Sequence, residues 1–333
     1  MTQAIETQAI RIYETGDPDV MSWETVGVAQ PGAGEILVRH TAVGLNYIDT
    51  YHRSGLYPVE LPSGLGLEAA GVVEALGEGV EHLAQGDRVA YGTGPLGAYS
   101  QRRVMPAGRV VKLDDAIDDE TAAAMMLKGM TVRYLVRETF PVERGQTVLW
   151  HAAAGGVGLI ACQWLASEGV TVIGTAGGEE KCAMAREAGA AHVIDYDRSG
   201  PEGDVAKRVR EITDGAGVPV VFDGVGAATV DASLASLRPR GMFVSFGNAS
   251  GPVTNFDLGR LSAHGSLYVT RPSLMAYVAT DEALRANAAD VIGKVASGHV
   301  KVPVRQRYPL ADAAEAHRDL EARRTTGSTV LLP

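Results

Sequence analysis

At 333 residues the chain exceeds one ordinary domain, so two domains are expected. It is 46% hydrophobic and 21% charged, the make-up of a globular protein with a sizeable core, and its formal net charge of −10 with no offsetting basic run argues against nucleic acid or an acidic membrane surface as main partner. Cys162 and Cys182 are its two cysteines, too few for a disulfide framework or a zinc quartet. Residues 1–6 show no basic segment followed by an apolar one, and no uncharged apolar run is long enough to span a membrane, so a cytoplasmic location is expected.

Residues 1–125 read as β-rich. Short strand-like runs at 9–13, 35–42, 69–76, 88–91 and 109–112 are separated by turn clusters such as Pro31-Gly-Ala-Gly34 and Gly77-Glu-Gly79. Regular punctuation of this kind suggests a barrel-like fold. Asp118 to Glu120 suit a helix N-terminus, and the helix they open is expected to bend or break at Leu127-Lys-Gly-Met-Thr131 before resuming to about Thr139.

From Thr147 the pattern alternates. Strands are expected at 147–150, 170–174, 191–195, 219–223, 241–246 and 266–270, with helices at 157–168, 179–188, 203–213, 227–237 and 257–263. Such a series predicts a parallel sheet covered on both faces. A helix from Thr280 to Ser297, an apolar stretch at 300–304, a helix at 310–323 and a strand at 328–332 close the chain. Six strands already complete a sheet by residue 270. The tail is therefore expected to rejoin the first domain, giving domains 1–125 with 271–333, and 126–270 inserted between them.

The most informative stretch joins the first of those strands to its helix. Ala153-Ala-Gly155-Gly156-Val157-Gly158 is a dinucleotide fingerprint with Ala in place of the first glycine. Gly155 lets backbone approach a pyrophosphate, Gly158 lets the helix lie close, and the helix N-terminus offers unpaired N–H groups and a positive dipole end. The second strand's end selects the nucleotide. Here it reads Ile173-Gly-Thr-Ala-Gly177-Gly178 with no carboxylate at its tip, followed by Glu179, Glu180 and Lys181. Small residues with a lysine at the edge point to NADPH; Glu179 as a ribose-binding acid is the NAD alternative.

With these pieces placed, the chain resembles the zinc-independent quinone oxidoreductase (zeta-crystallin-like) branch of the medium-chain dehydrogenases/reductases, over nearly its whole length. The resemblance rests on Gly44-Leu-Asn46-Tyr-Ile-Asp49-Thr-Tyr51-His-Arg-Ser-Gly55-Leu-Tyr57-Pro58, Leu65-Gly-Leu-Glu68-Ala-Ala-Gly71, Gly86-Asp-Arg-Val89, Leu127-Lys-Gly-Met-Thr131, His151 to Gly158, Val244-Ser-Phe-Gly-Asn248 and Leu267-Tyr-Val-Thr-Arg-Pro272. It implies an α/β protein with a GroES-like β-rich catalytic domain and an inserted six-stranded parallel Rossmann domain, NADPH as hydride donor, quinones as acceptors and a homodimer. Zinc-dependent relatives need Cys where Asp49 stands and His where Leu67 stands, and Leu67 cannot ligate. No metal is expected, and Glu68 reads as a structural hydrogen-bonding residue.

Residue by residue, the resemblance puts Asn46, Tyr47, Ile48 and Tyr51 beside nicotinamide and acceptor, with Asn46 and Tyr51 as hydrogen-bond donors to the acceptor oxygen. Tyr134 becomes a cofactor contact. Gly155, Gly156, Val157 and Gly158 meet the pyrophosphate, and Gly177, Gly178, Lys181, Tyr196 and Arg323 surround the adenosine and its 2′-phosphate. Phe246, Gly247, Asn248 and Ala249, with Val269, Thr270 and Arg271, form ledges along the nicotinamide. Plainer roles stand beside these: Asn46 as a turn residue, Tyr51 and Tyr57 as packing aromatics, Arg271 as a dimer contact, His151 as a strand-end structural histidine. The chain departs from the family at Gly224, where serine is familiar, and in the Glu179-Glu180 pair. Three activities fit: an NADPH-dependent quinone reductase, an NADPH-dependent alkene or enone reductase, and an NADPH-binding protein with an RNA-binding role.

Overall fold

The computed structural model describes residues 4–198 and 203–333. The first three positions of the N-terminal segment read above lie outside the described residues.

The chain opens with β1 (Ile5–Ile12), β2 (Ser22–Val28) and β3 (Glu35–Leu45), passes through α1 (Tyr47–Ser54), and continues into β4 (Ser63–Gly64), β5 (Ala69–Leu76), β6 (Arg88–Tyr91), β7 (Arg102–Pro106) and β8 (Val111–Lys112). Helix α2 (Asp119–Tyr134) follows. The alternating half then runs β9 (Thr147–Trp150), α3 (Gly156–Ser167), β10 (Thr171–Ala176), α4 (Glu179–Glu187), β11 (His192–Asp195), α5 (Val205–Ile212), β12 (Val218–Asp223), α6 (Val230–Ser236), β13 (Leu237–Ser245), α7 (Gly259–Ala263), β14 (Tyr268–Thr270) and α8 (Leu274–Tyr277). Helix α9 (Asp281–Ala296), β15 (Val304–Pro309), α10 (Ala313–Glu321) and β16 (Ser328–Leu332) close it.

Contacts divide the chain into two units. The first holds the residues up to Met130 with Val278–Ala296 and Val302–Pro333; the second holds Thr131–Tyr277 and Ser297–Lys301. Helix α2 spans the first of these divisions, and α8 ends at the second.

The first unit is organised on β3, eleven residues long, which pairs antiparallel with β5, β7 and the returning β16. A single strand meets three neighbours because β5 runs along one edge against residues 36–43, while β7 and β16 share the other edge against residues 35–39 and 43–45. Ile36, Val38, Val43 and Leu45 of this strand lie in the core with Ile10, Ile12, Val89 and Leu331. Burying side chains of this size contributes about 1.5–3 kcal/mol each. The return of β15 and β16 to this sheet completes the expected β-rich catalytic unit.

In the second unit the six strands stand in the order β11-β10-β9-β12-β13-β14, every pairing parallel. The expected six-stranded Rossmann sheet is thus present. All six residues of β12, Val218-Pro-Val-Val-Phe-Asp223, are buried, as a central parallel strand covered on both faces requires. The order reverses between β9 and β12, so a crevice opens at their carboxyl ends.

Local expectations are corrected: the strand-like runs above miss β2, β4 and β7, helix α1 stands where no helix was expected, and α2 runs through Leu127–Thr131 without a break. Gly129 serves packing there: a Cβ on it would lie 2.5 Å from Val291 of α9. The apolar stretch at 300–304 precedes its strand, which carries the alternating Val304-Arg-Gln-Arg-Tyr-Pro309.

Candidate functional site

In the second unit the fingerprint is a turn held by its own backbone. The N–H of Gly155 donates to the Ala152 carbonyl at 3.0 Å, and that of Leu159 donates to Gly155 at 2.8 Å, which starts α3 with Gly155 as its N-cap. A Cβ at Gly158 would lie 2.4 Å from the Ala152 oxygen and 2.7 Å from the Ala153 backbone, so no other residue fits. The left-handed residue of the turn is Ala152, at φ 53°. Gly156 and Val157 open the helix, their N–H groups in the first turn where an anion is favoured.

A buried polar chain ties this turn to the neighbouring strand ends. Asp223, at the end of β12, accepts from the N–H groups of Val225 and Gly226 at 2.8 and 3.0 Å, from Thr229 at 2.7 Å and from Ser233 at 2.8 Å. Having donated to Asp223, the Ser233 hydroxyl accepts from His151 Nε2 at 3.0 Å; Nδ1 of His151 then accepts from the Thr175 hydroxyl at 3.1 Å. Burial holds the His151 pKa below its ordinary value against the pull of the Asp223 charge, which suits a neutral structural imidazole. The ends of β9, β10 and β12 are joined beneath the crevice. The sequence signal was Asp223-Gly-Val-Gly226 directly after a wholly apolar strand.

At the end of β10, Gly177 sits where a Cβ would be 2.5 Å from Asp197 and 2.8 Å from the Tyr196 ring, and Gly178, at φ 79°, is the N-cap of α4. Tyr196 is 40% exposed, while Lys181 is half-buried on the first turn of α4. Glu179 is engaged by Arg186 at 3.0 Å and Arg198 at 3.6 Å. Asp195 accepts from the N–H groups of Gly178 and Asp197 at 2.9 and 3.1 Å. Glu179 and Asp195 are thus committed to these partners, while the Asp197 carboxylate stands beside Gly177.

On the other side of the switch point, the Phe246 N–H donates to the Asp223 carbonyl at 2.8 Å and that of Ala249 to Gly224 at 3.3 Å. A Cβ at Gly224 would stand 3.0 Å from the Phe246 ring, a close contact to which the ring would have to yield. Arg271, after β14, donates through one guanidinium nitrogen to the carbonyls of Ser245 and Gly247, each at 2.9 Å. It thereby clamps the loop that carries Gly247 and Asn248. Val269 and Thr270 lie on β14, Val269 exposed and Thr270 half-buried. Tyr134 is buried and stacked on Tyr277, ring centroids 4.5 Å apart.

In the first unit, Asn46 is the N-cap of α1, and its N–H donates to the Asp49 carboxylate at 2.9 Å. Its side-chain amide donates to Glu68 at 2.7 Å, and both residues are buried. Asn46 is therefore more than a turn residue satisfying its own backbone. Tyr47 and Ile48 follow, half-buried, and Tyr51 contacts the Tyr47 ring on one side and the Tyr57 ring on the other, at 5.6 and 5.1 Å. The Tyr47 phenol is raised above its ordinary pKa by burial and by Glu321 of α10, against the opposing pull of Arg323, which keeps it a donor. Arg323, exposed and left-handed at φ 59°, ends the turn after α10.

A zinc ion does not fit the residues that would hold it. Leu67 is apolar and buried, and Cys162 and Cys182 are buried in α3 and α4; Asp49 accepts from the Asn46 N–H and the Tyr99 hydroxyl, each at 2.9 Å, on one carboxylate oxygen, and its other oxygen alone makes no site. Among the described residues no cluster of His, Cys, Asp or Glu is set to bind a metal. A dinucleotide fits the other site, where Gly155 caps α3 and the N–H groups of its first turn stand at the end of β9. Among the described residues no helix is long and apolar enough to cross a membrane.

Residues 32–115 match the alcohol dehydrogenase GroES-like domain family, and residues 156–287 match the family described as zinc-binding dehydrogenase. The chain is 54% identical over 325 residues to the quinone oxidoreductase of Pseudomonas aeruginosa, covering 97% of this chain and 99% of the relative. It superposes on the crystal structure of Escherichia coli quinone oxidoreductase complexed with NADPH with a TM-score of 0.95 at 48% identity, over 98% of this chain and 100% of that one. It is 44% identical to a 2-haloacrylate reductase of a Burkholderia species, covering 97% of this chain and 98% of that one.

Proposed function

We propose that this chain, which belongs to the quinone oxidoreductase (zeta-crystallin-like) branch of the medium-chain dehydrogenases/reductases, is an NADPH:quinone oxidoreductase. The observation that carries the coenzyme choice is the commitment of Glu179 and Asp195 to arginines and backbone, with Lys181 on the same helix turn, beside a fingerprint built for a pyrophosphate. NADPH, when bound, supplies a hydride. The protein's part is to bind and orient. Gly155, Gly156, Val157 and Gly158 receive the pyrophosphate, while Gly177, Gly178, Lys181, Tyr196 and Arg323 receive the adenosine end. Phe246 to Ala249, held by Arg271, support the nicotinamide together with Val269, Thr270 and Tyr134. Asn46 and Tyr51 meet the acceptor, with Tyr47 and Ile48 beside them.

A quinone delocalises the negative charge that arrives with a hydride, so oriented amide and phenol donors meet the demand without a Lewis acid. The apolar Leu67, which has no atom to offer a metal, supports this metal-free chemistry. The reading includes a cytoplasmic homodimer. Its support is β14, an edge strand of the Rossmann sheet that leaves Tyr268 58% and Val269 41% exposed. A benzoquinone and a conjugated enone, each offered with NADPH, test the acceptor. Turnover of the quinone supports the proposal. Turnover of the enone alone would favour the alkene reductase reading, which the similarity to a 2-haloacrylate reductase keeps in view.

A further inference from the structure

The first unit buries one ion pair whose purpose its fold does not require. Glu68, at the head of β5, is fully buried, and Lys128 of α2 is 6% exposed; the ammonium lies 3.1 Å from Oε2 of Glu68. The same oxygen accepts from the Asn46 side-chain amide at 2.7 Å, and the other carboxylate oxygen accepts from the Leu127 N–H at 2.8 Å. Room for the carboxylate is made by Gly44, where a Cβ would stand 2.3 Å from Oε2 and 2.1 Å from the Ala123 carbonyl. Buried ion pairs contribute little to net stability compared with apolar packing of the same volume, so stability alone does not explain this one.

Its geometry has a directional consequence. An ionised carboxylate only accepts hydrogen bonds, so the group Asn46 turns toward it must be the NH2. The Asn46 backbone is pinned at the same time by Asp49. Asparagine is thus held at both ends, its amide dipole set in one of two possible senses. Asp49 and Tyr99, which bond to each other, both feel the Glu68 charge.

We infer that Glu68 and Lys128 are positioning residues that set the direction of the Asn46 amide toward the acceptor, Glu68 by accepting from it and Lys128 by balancing the Glu68 charge. The inference rests on the reading of Asn46 as an acceptor contact. Glu68→Gln keeps the shape but presents an NH2 of its own to one of three donors. It is expected to lower kcat by about tenfold or more, since small misplacements of a contact group cost factors of this size. Affinity for NADPH stays within about threefold. Lys128→Met moves kcat in the same direction by less. In an Asn46→Ala background Glu68→Gln changes kcat less than about twofold, because its route of action is gone.

An equal kcat loss with and without Asn46, or a loss of NADPH affinity in step with kcat, overturns the inference. The cycle is run on Lys128→Met should Glu68→Gln fold poorly. If the native protein reduces no acceptor, the proposed activity fails, and the amide is then read by NMR. A carboxylate-shifted side-chain proton of Asn46 that moves in Glu68→Gln supports the positioning role, and one that does not move overturns it.

Discussion

The Arg53 guanidinium closes a two-pronged ion pair on Glu321, at 2.9 and 2.8 Å, across 268 residues of sequence. Arg53 is 2% exposed, and it also donates to the Gly16 carbonyl at 3.0 Å and to His317 at 3.2 Å. One side chain therefore ties α1, which carries Tyr47 and Tyr51, to α10, which leads into Arg323. Arg53→Met is expected to destabilise the protein by about 3 kcal/mol, the cost of stranding several buried partners. Arg53→Lys should recover little, because an ammonium cannot form the fork. Urea unfolding checks this, and a lysine variant as stable as the native protein would refute it.

Beyond that pair lies a buried chain with a definite acid response. Arg53 donates to Nδ1 of His317, so Nε2 carries the proton and donates to the Tyr99 hydroxyl at 3.0 Å, which in turn donates to Asp49. Burial first, and then the Arg53 charge, push His317 down to about 3; burial does the same to His40. Each contributes stability that is full above the ordinary histidine value near 6.5 and is lost as pH falls toward 3, by up to about 1.4 kcal/mol per pH unit. Asp49, raised by burial to about 7, acts in the opposite sense, losing stability as pH rises from about 4 to 7. His317→Gln should reduce the acid loss of stability between about pH 4 and 6.5 by up to about 1.4 kcal/mol per pH unit, read from urea midpoints at several pH values; an unchanged slope contradicts the assignment.

Arg271 spends one guanidinium nitrogen on two carbonyls of the loop after β13. Arg271→Met is expected to raise the KM for NADPH about tenfold by releasing that loop, with little change in unfolding midpoint for so exposed a residue. A variant with native KM would assign Arg271 to subunit contacts instead.

Gly158→Ala places a methyl 2.4 Å from a carbonyl oxygen. Backbone shift of the fingerprint is unavoidable, at a cost of about 1–3 kcal/mol and with loss of nucleotide binding. Unaltered binding in a fluorescence titration would show that the turn is not the pyrophosphate site.

Much of the second unit was legible because its central strands, β9, β10 and β12, are largely buried and read as apolar runs such as Val218 to Phe222. The first unit was less so. Strand β2, at the edge of a three-stranded sheet, mixes half-buried and exposed residues, a weak signal for Ser22-Trp-Glu-Thr-Val-Gly-Val28. Helix α1 is eight residues with the β-branched or aromatic Tyr47, Ile48, Thr50 and Tyr51 among them, and its real signals, Asn46 with Asp49 three residues on and Gly55 at the C-cap, are small. The site residues could be named one by one from the resemblance. The partners that orient them could not: Glu68 and Lys128 are 60 residues apart, and Arg53 and Glu321 far more, so only the fold brings them together.

Paired titrations of the protein with NADPH and NADH, repeated on Lys181→Glu, address the central claim most directly. The account predicts NADPH bound at least about tenfold more tightly, the energy of one charge-assisted phosphate contact, with that preference abolished in the variant. Equal affinity of the native protein for the two nucleotides would contradict it.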